Sequence, residues 1–137
     1  MSRRFVHRVA LPRVPGGLTR RVRPTTVRTL VTAKRSMKRA AMRDCGQRCV
    51  YCGTCLDLDS ATLDHVYPVS KGGPHVLGNL VSACGGCNRM KGDMLPSEFF
   101  ARHPWAGANF VRYARSVHRA LKRGARRAVS LAYAKAA

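Results

Sequence analysis

Acidic residues are scarce: the 137-residue chain has six Asp and Glu against 26 Lys and Arg, a formal charge of +20. Large aromatics are few, with one Trp, four Tyr and four Phe, so a large self-sufficient core is not expected. No apolar run approaches the roughly 20 residues that a bilayer-spanning helix needs, which excludes a membrane-spanning reading. The basic N-terminus leads into no unbroken apolar stretch, so no secretory signal is expected. Collagen, coiled-coil and low-complexity readings fail on composition as well. The length leaves room for one modest domain with extensions.

The missing acid has a pattern. All six acidic residues lie between Asp44 and Glu98, where they face only Arg48, Lys71, Arg89 and Lys91, a formal −2. Residues 1–43 hold thirteen Lys or Arg and residues 99–137 hold nine, with no acid in either stretch. Two cationic arms that repel each other are neutralised best by a polyanion. Nucleic acid is the expected partner, bound with a strong salt dependence.

Residues 1–31 contain Pro12, Pro15, Pro24 and Gly16-Gly17, which exclude a long helix and predict an extended basic arm with a short strand around Phe5–Val9. From Thr32 to Asp44 the pattern turns helical. A further helix is expected across Gly86–Gly92 and a helical turn at Ser97–Arg102. In the basic C-terminal arm, 99–137, Asn109 is a plausible N-cap for a helix carrying Phe110, Tyr113, Ala114, Val117 and Leu121 on one face. Arg112, Arg115, Arg119 and Lys122 or Arg123 share a different face, suited to a phosphate backbone. Gly124 is expected to bend this helix before a second stretch, Arg126–Ala134.

Six cysteines without an export signal point to metal rather than disulfides. Cys49-Val-Tyr-Cys52-Gly and Cys84-Gly-Gly-Cys87 are two C-x-x-C knuckles separated by 31 residues. Four thiolates in a tetrahedron make a closed structural Zn²⁺ site that supplies folding energy a small core lacks. Cys45 and Cys55 leave competing pairs open, Cys45/Cys49 or Cys52/Cys55, but the Tyr and Gly around Cys49/Cys52 favour that knuckle. Between the knuckles, Thr62–Pro68 alternates like a strand and Asn79-Leu80-Val81 returns as a second. The second knuckle then runs directly into Asn88-Arg89-Met90-Lys91 on a helix. Strand, strand and helix stapled in this way let Asp64, His65 and Asn88 converge.

The residues Arg43-Asp44, Cys49-x-x-Cys52-Gly53, Asp64-His65-x-x-Pro68, Gly72-Gly73, Asn79-Leu80-Val81 and Cys84-x-x-Cys87-Asn88-x-x-Lys91 cover roughly 55 of the 137 positions. In this order they resemble the HNH endonuclease family, in its four-cysteine zinc subgroup. Over about Met42–Glu98 the resemblance implies a zinc-stapled ββα-metal (His-Me) finger; with the preceding helix this gives an α+β domain at 32–98, flanked by basic, partly helical arms that the pattern does not cover. It also implies metal-dependent hydrolysis of phosphodiester bonds in DNA, taken as double-stranded, and a bacterial or phage-encoded cytoplasmic protein.

Position by position, His65 resembles the general base, and an imidazole of ordinary pKa near 6.5 suits that task at neutral pH. Asp64 resembles a ligand of the catalytic Mg²⁺ or Mn²⁺, hard cations that take oxygen donors. Asn88 stands where many members carry a second metal-binding His, which makes this an H-N-N variant. Asn79 resembles the middle Asn, which braces the loop and holds His65 in orientation. Lys91, one turn from Asn88, is expected at a phosphate, with Arg89 and Lys71 as weaker candidates. His75 is expected to pack the loop, and His7, His103 and His118 receive no role. The alternative to the nuclease is a non-catalytic, zinc-stabilised module that binds nucleic acid. Only Asp64, His65, Asn79 and Asn88 together separate the two.

Overall fold

The computed structural model describes residues 26–137, with side chains from Thr32 onward, so the expected Phe5–Val9 strand lies outside the described residues. Helix α1 (Thr26–Asp44) is followed by strands β1 (Ala61–His65) and β2 (Leu80–Cys84), and then by α2 (Gly85–Lys91). Three further helices complete the chain: α3 (Pro96–Arg102), α4 (Pro104–Tyr113) and α5 (Arg119–Ala136). The fold is α+β. No helix among the described residues is long and apolar enough to cross a membrane.

Helix α1 stops where Gly46 takes a left-handed φ of 66°. Gln47 N–H then reaches back to Met42 O at 2.8 Å and Gly46 N–H to Arg43 O at 3.2 Å. These two bonds close a Schellman turn that delivers the chain into the first cysteine knuckle. Strands β1 and β2 pair antiparallel, with Ala61 opposite Cys84 and His65 opposite Leu80. β2 runs through Cys84, further than the Asn79–Val81 strand expected, while Asn79 closes the 3-10 turn that precedes it. The Cys84 thiol accepts the Cys87 N–H at 3.4 Å and so serves as N-cap of α2. One residue thus ends a strand, starts a helix and contributes a thiol.

The C-terminal helices depart from expectation. Asn109 does not begin a helix: α4 starts at Pro104, a residue preset for the first helical turn. Asn109 Nδ2 instead donates to Tyr51 O at 2.6 Å. The helix then breaks at 114–118 rather than at Gly124. There Val117 is buried and His118 N–H donates to Gly78 O at 2.9 Å, a tertiary bond that helical pairing would forbid. Gly124 sits inside α5 with open space around it. Its cost of about 1 kcal/mol is offset by the burial of Ala125 and Ala128 on the same helix. Consequently Arg112, Arg115 and Arg119 do not form one stripe on one helix, but lie on α4, the linking segment and α5 in turn.

A single core joins these parts. The Tyr51 ring, carried by the first knuckle, meets Phe99 edge-on at 5.2 Å and stacks toward Phe110 at 6.4 Å. Phe100 packs on Phe110 at 5.1 Å. Four aromatics, Tyr51, Phe99, Phe100 and Phe110, thus meet where α3 and α4 contact the knuckle, an arrangement that draws much from each large ring.

Candidate functional site

The thiols of Cys49, Cys52, Cys84 and Cys87 all lie within 4.8 Å of one another. Cys52 and Cys84 Sγ are 3.9 Å apart, against about 3.8 Å for two sulfurs bound tetrahedrally to one Zn²⁺. Burial raises the Cys49 and Cys87 thiols above their ordinary range, and on Cys87 the neighbouring thiols push the same way. Burial also opposes ionisation of Cys52, but Thr54 and the neighbouring thiols outweigh it and bring that group down to about 7. The Cys52 thiolate forms readily, whereas Cys49 and Cys87 need a cation among them. The donor set therefore fits a structural zinc. Cys45, buried beside Ser82, and the exposed Cys55 stand outside this cluster.

Asp64, on β1, is only 5% exposed. Its Oδ2 accepts from the Tyr51 hydroxyl at 2.5 Å, and Lys91 Nζ lies 3.3 Å from both carboxylate oxygens. Lys91 also donates to His65 O at 2.9 Å. Burial pushes the Asp64 carboxyl up, opposed first by the Lys91 charge and then by the Tyr51 hydroxyl. Lys91 is therefore no phosphate contact: it is fully buried, because α2 turns Cys87 and Lys91, one turn apart, toward the sheet. Its ammonium neutralises a carboxylate that would otherwise be stranded in the core.

Asn88, on α2, donates through Nδ2 to Thr62 Oγ1 at 3.0 Å and Leu63 O at 3.4 Å. Two acceptors facing the amide nitrogen fix the flip, so Oδ1 is the atom left to bind a ligand. Asn79 is a clamp on the intervening loop. Its Oδ1 accepts Tyr67 N–H at 2.9 Å, and its Nδ2 donates to Tyr67 O and Pro74 O, each at 3.0 Å.

That clamp brings His75 onto His65. The His65 Nε2 and His75 Nδ1 atoms are 2.9 Å apart, so one proton lies between the two imidazoles. The pair, which a sequence reading of His75 as loop packing missed, opens on a cleft of about 440 Å³. Lys34, Arg35 and Lys38 of α1 line the same cleft, together with Thr62 and Leu63. The His65 pKa is lowered by desolvation, then by His75, while Asp64 pulls the other way. Among the other expected contacts, Lys71 Nζ donates to Asp93 O at 2.5 Å. Arg89 is exposed beside Gly85, and Arg112 lies over the Tyr113 ring at 5.4 Å.

Residues 49–103 match the family model described as HNH endonuclease. The fold is similar to that of the Type II-C Cas9 enzyme from Actinomyces naeslundii, with 25% identity and a TM-score of 0.50. The similarity covers 72% of this chain and 11% of the Cas9 chain. No curated protein matches the chain in sequence. The family match is confined to the central segment that carries β1, β2, α2 and the four clustered thiols.

Two measurements check this geometry. Cys84→Ala should lose bound zinc and cooperative unfolding together, read by metal analysis and urea denaturation; full zinc content in a folded variant would exclude the four-thiol site. Lys91→Met should cost about 3–5 kcal/mol in the same denaturation, the range for breaking a buried ion pair. A stable Lys91→Met variant with weakened DNA binding would instead return this lysine to a phosphate.

Proposed function

We propose that this chain, with its HNH endonuclease segment at 49–103, is a metal-dependent endonuclease that hydrolyses DNA phosphodiester bonds. The observation that carries the reading is the cleft: His65 faces a concavity walled by Lys34, Arg35 and Lys38, cations suited to a sugar-phosphate backbone.

His65 is the general base. In the tautomer that donates Nε2–H to His75 Nδ1, the lone pair rests on His65 Nδ1, ready to take a proton from water. Lys91 holds the backbone of that residue through His65 O, and Asn79 holds the loop that carries His75. Asp64 Oδ1, whose hydrogen-bond partner is Lys91 alone, and Asn88 Oδ1 are the oxygen donors that would hold Mg²⁺ or Mn²⁺. The chemistry that cation supplies when bound is neutralisation of charge on the phosphate and on the departing 3′ oxygen. Attack in line by the water that His65 deprotonates leaves 5′-phosphate and 3′-hydroxyl ends. Lys34 and Arg35 anchor the strand, while Lys38 is tied to Leu58 O at 2.6 Å.

One observation favours the non-catalytic alternative: Lys91 already neutralises Asp64, so a second cation must share that carboxylate. Supercoiled plasmid separates the two readings. The wild-type protein with Mg²⁺ or Mn²⁺ should convert it to open-circle or linear DNA, and His65→Ala should lose this activity by at least a hundredfold with DNA affinity retained. Tight binding without cleavage under either metal would leave the binding module.

The pH profile provides a second check. A lowered His65 pKa means the base stays neutral to lower pH, so the acid limb of kcat/KM should fall below pH 6.5. His75→Gln removes one of the causes and should move that limb upward. A limb that stays fixed would show that His75 does not tune the base.

A further inference from the structure

We propose that Arg115, Arg119, Lys122, Arg123 and Arg126 form a second phosphate cradle, which grips the backbone of double-stranded DNA away from the bond being cut. This rests on the nuclease reading for the identity of the polyanion. The five cations, with buried Val117 among them, line a concavity of about 460 Å³ between the 114–118 segment and α5. Among the described residues the ion pairs are Lys91–Asp64 and Arg102–Glu98, so none of the five is paired with a carboxylate.

Arg119, Lys122, Arg123 and Arg126 fall at helical spacings of three and four on α5, where like charges repel by a few tenths of a kcal/mol per pair. A solvated helix face would spread such charges outward. Here they converge with Arg115 around one hollow, and a phosphodiester backbone removes the repulsion.

The cradle is also fixed relative to the cleft. His118 N–H donates to Gly78 O at 2.9 Å, and a Cβ on Gly78 would meet the His118 ring at 2.6 Å. That contact staples the start of α5 to the turn just beyond His75, whose ring meets His65. Two cation-lined hollows therefore flank one loop, and the HNH match, which ends at residue 103, includes none of the cradle.

The test measures affinity for a duplex oligonucleotide by fluorescence anisotropy from 50 to 300 mM KCl, with no Mg²⁺ or Mn²⁺ added. The variant is Arg119→Gln/Lys122→Gln/Arg126→Gln, compared with an Arg127→Gln/Lys135→Gln control outside the cradle. If all three side chains contact phosphate, the slope of log K against log salt should flatten by about 2.7, at roughly 0.9 per contact. The control should keep the wild-type slope, and both variants should retain zinc and circular dichroism. An unchanged slope in the triple variant, or an equal flattening in the control, overturns the cradle. So does a triple variant whose affinity falls only for single-stranded RNA or for vesicles of anionic lipid. Because binding is read without cleavage, nicking of plasmid by the wild-type protein with no flattening in the triple variant loses the cradle alone. A protein that fails to nick but shows the change loses only the nuclease reading.

Discussion

A carboxylate buried as deeply as Asp64 must be neutralised where it sits, and the way this chain does so sets its central geometry. The partners come from two other elements: the Tyr51 hydroxyl from the first cysteine knuckle and the Lys91 ammonium from α2. An ion pair in a low-dielectric interior repays its desolvation only when its remaining hydrogen-bonding capacity is filled. Here Lys91 spends a further proton on His65 O, and no buried side-chain nitrogen or oxygen among the described residues lacks a partner. Strand, knuckle and helix are therefore locked in one mutual orientation. His65, next along the strand, inherits that orientation through its backbone.

Charge is segregated by the same economy. The acids lie in the central segment, where one is buried and paired, while cations crowd α1 and the stretch from Arg112 to Arg127. In the free protein that excess opposes compactness. The counterweights are local: a thiol cluster suited to a metal, and an aromatic cluster in which Tyr51 shares its ring with Phe99, Phe100 and Phe110. Neither depends on a large core, and a chain of this length with few aromatics has little else to use.

What the sequence made legible was what short-range spacing controls. Two C-x-x-C turns with a strand–strand–helix order between and after them are local patterns, and the four thiols do gather while Cys45 and Cys55 stand apart. The burial of Lys91 was legible in principle, because Cys87 lies one turn earlier on the same face of α2. A lysine in a strongly basic chain simply reads first as a phosphate ligand. The His65–His75 contact carried no local signal: ten residues separate the rings, and Asn79 closes the loop by bonds to Tyr67 and Pro74. The break between α4 and α5 was hidden for a similar reason. Propensity favours a continuous helix through Tyr113–Leu121, and only Val117 burial and the His118–Gly78 bond, both tertiary, interrupt it.

These pieces give the cysteines a part in the site beyond holding the fold. Tyr51 lies between Cys49 and Cys52, so the group that fixes Asp64 Oδ2 is carried inside one knuckle. Asn88 follows Cys87 directly, and Lys91 lies one turn further along the helix that Cys84 caps. Each side chain that positions the carboxylate, and the carboxamide expected to share its cation, thus belongs to a segment bracketed or started by the thiol cluster. A tetrahedral centre has one low-energy geometry and few soft modes, whereas a small core leaves its loops room to move. Placing Tyr51, Asn88 and Lys91 within a residue or a turn of the thiols lets a small, self-repelling protein hold Asp64 with a precision its hydrophobic packing alone would not supply.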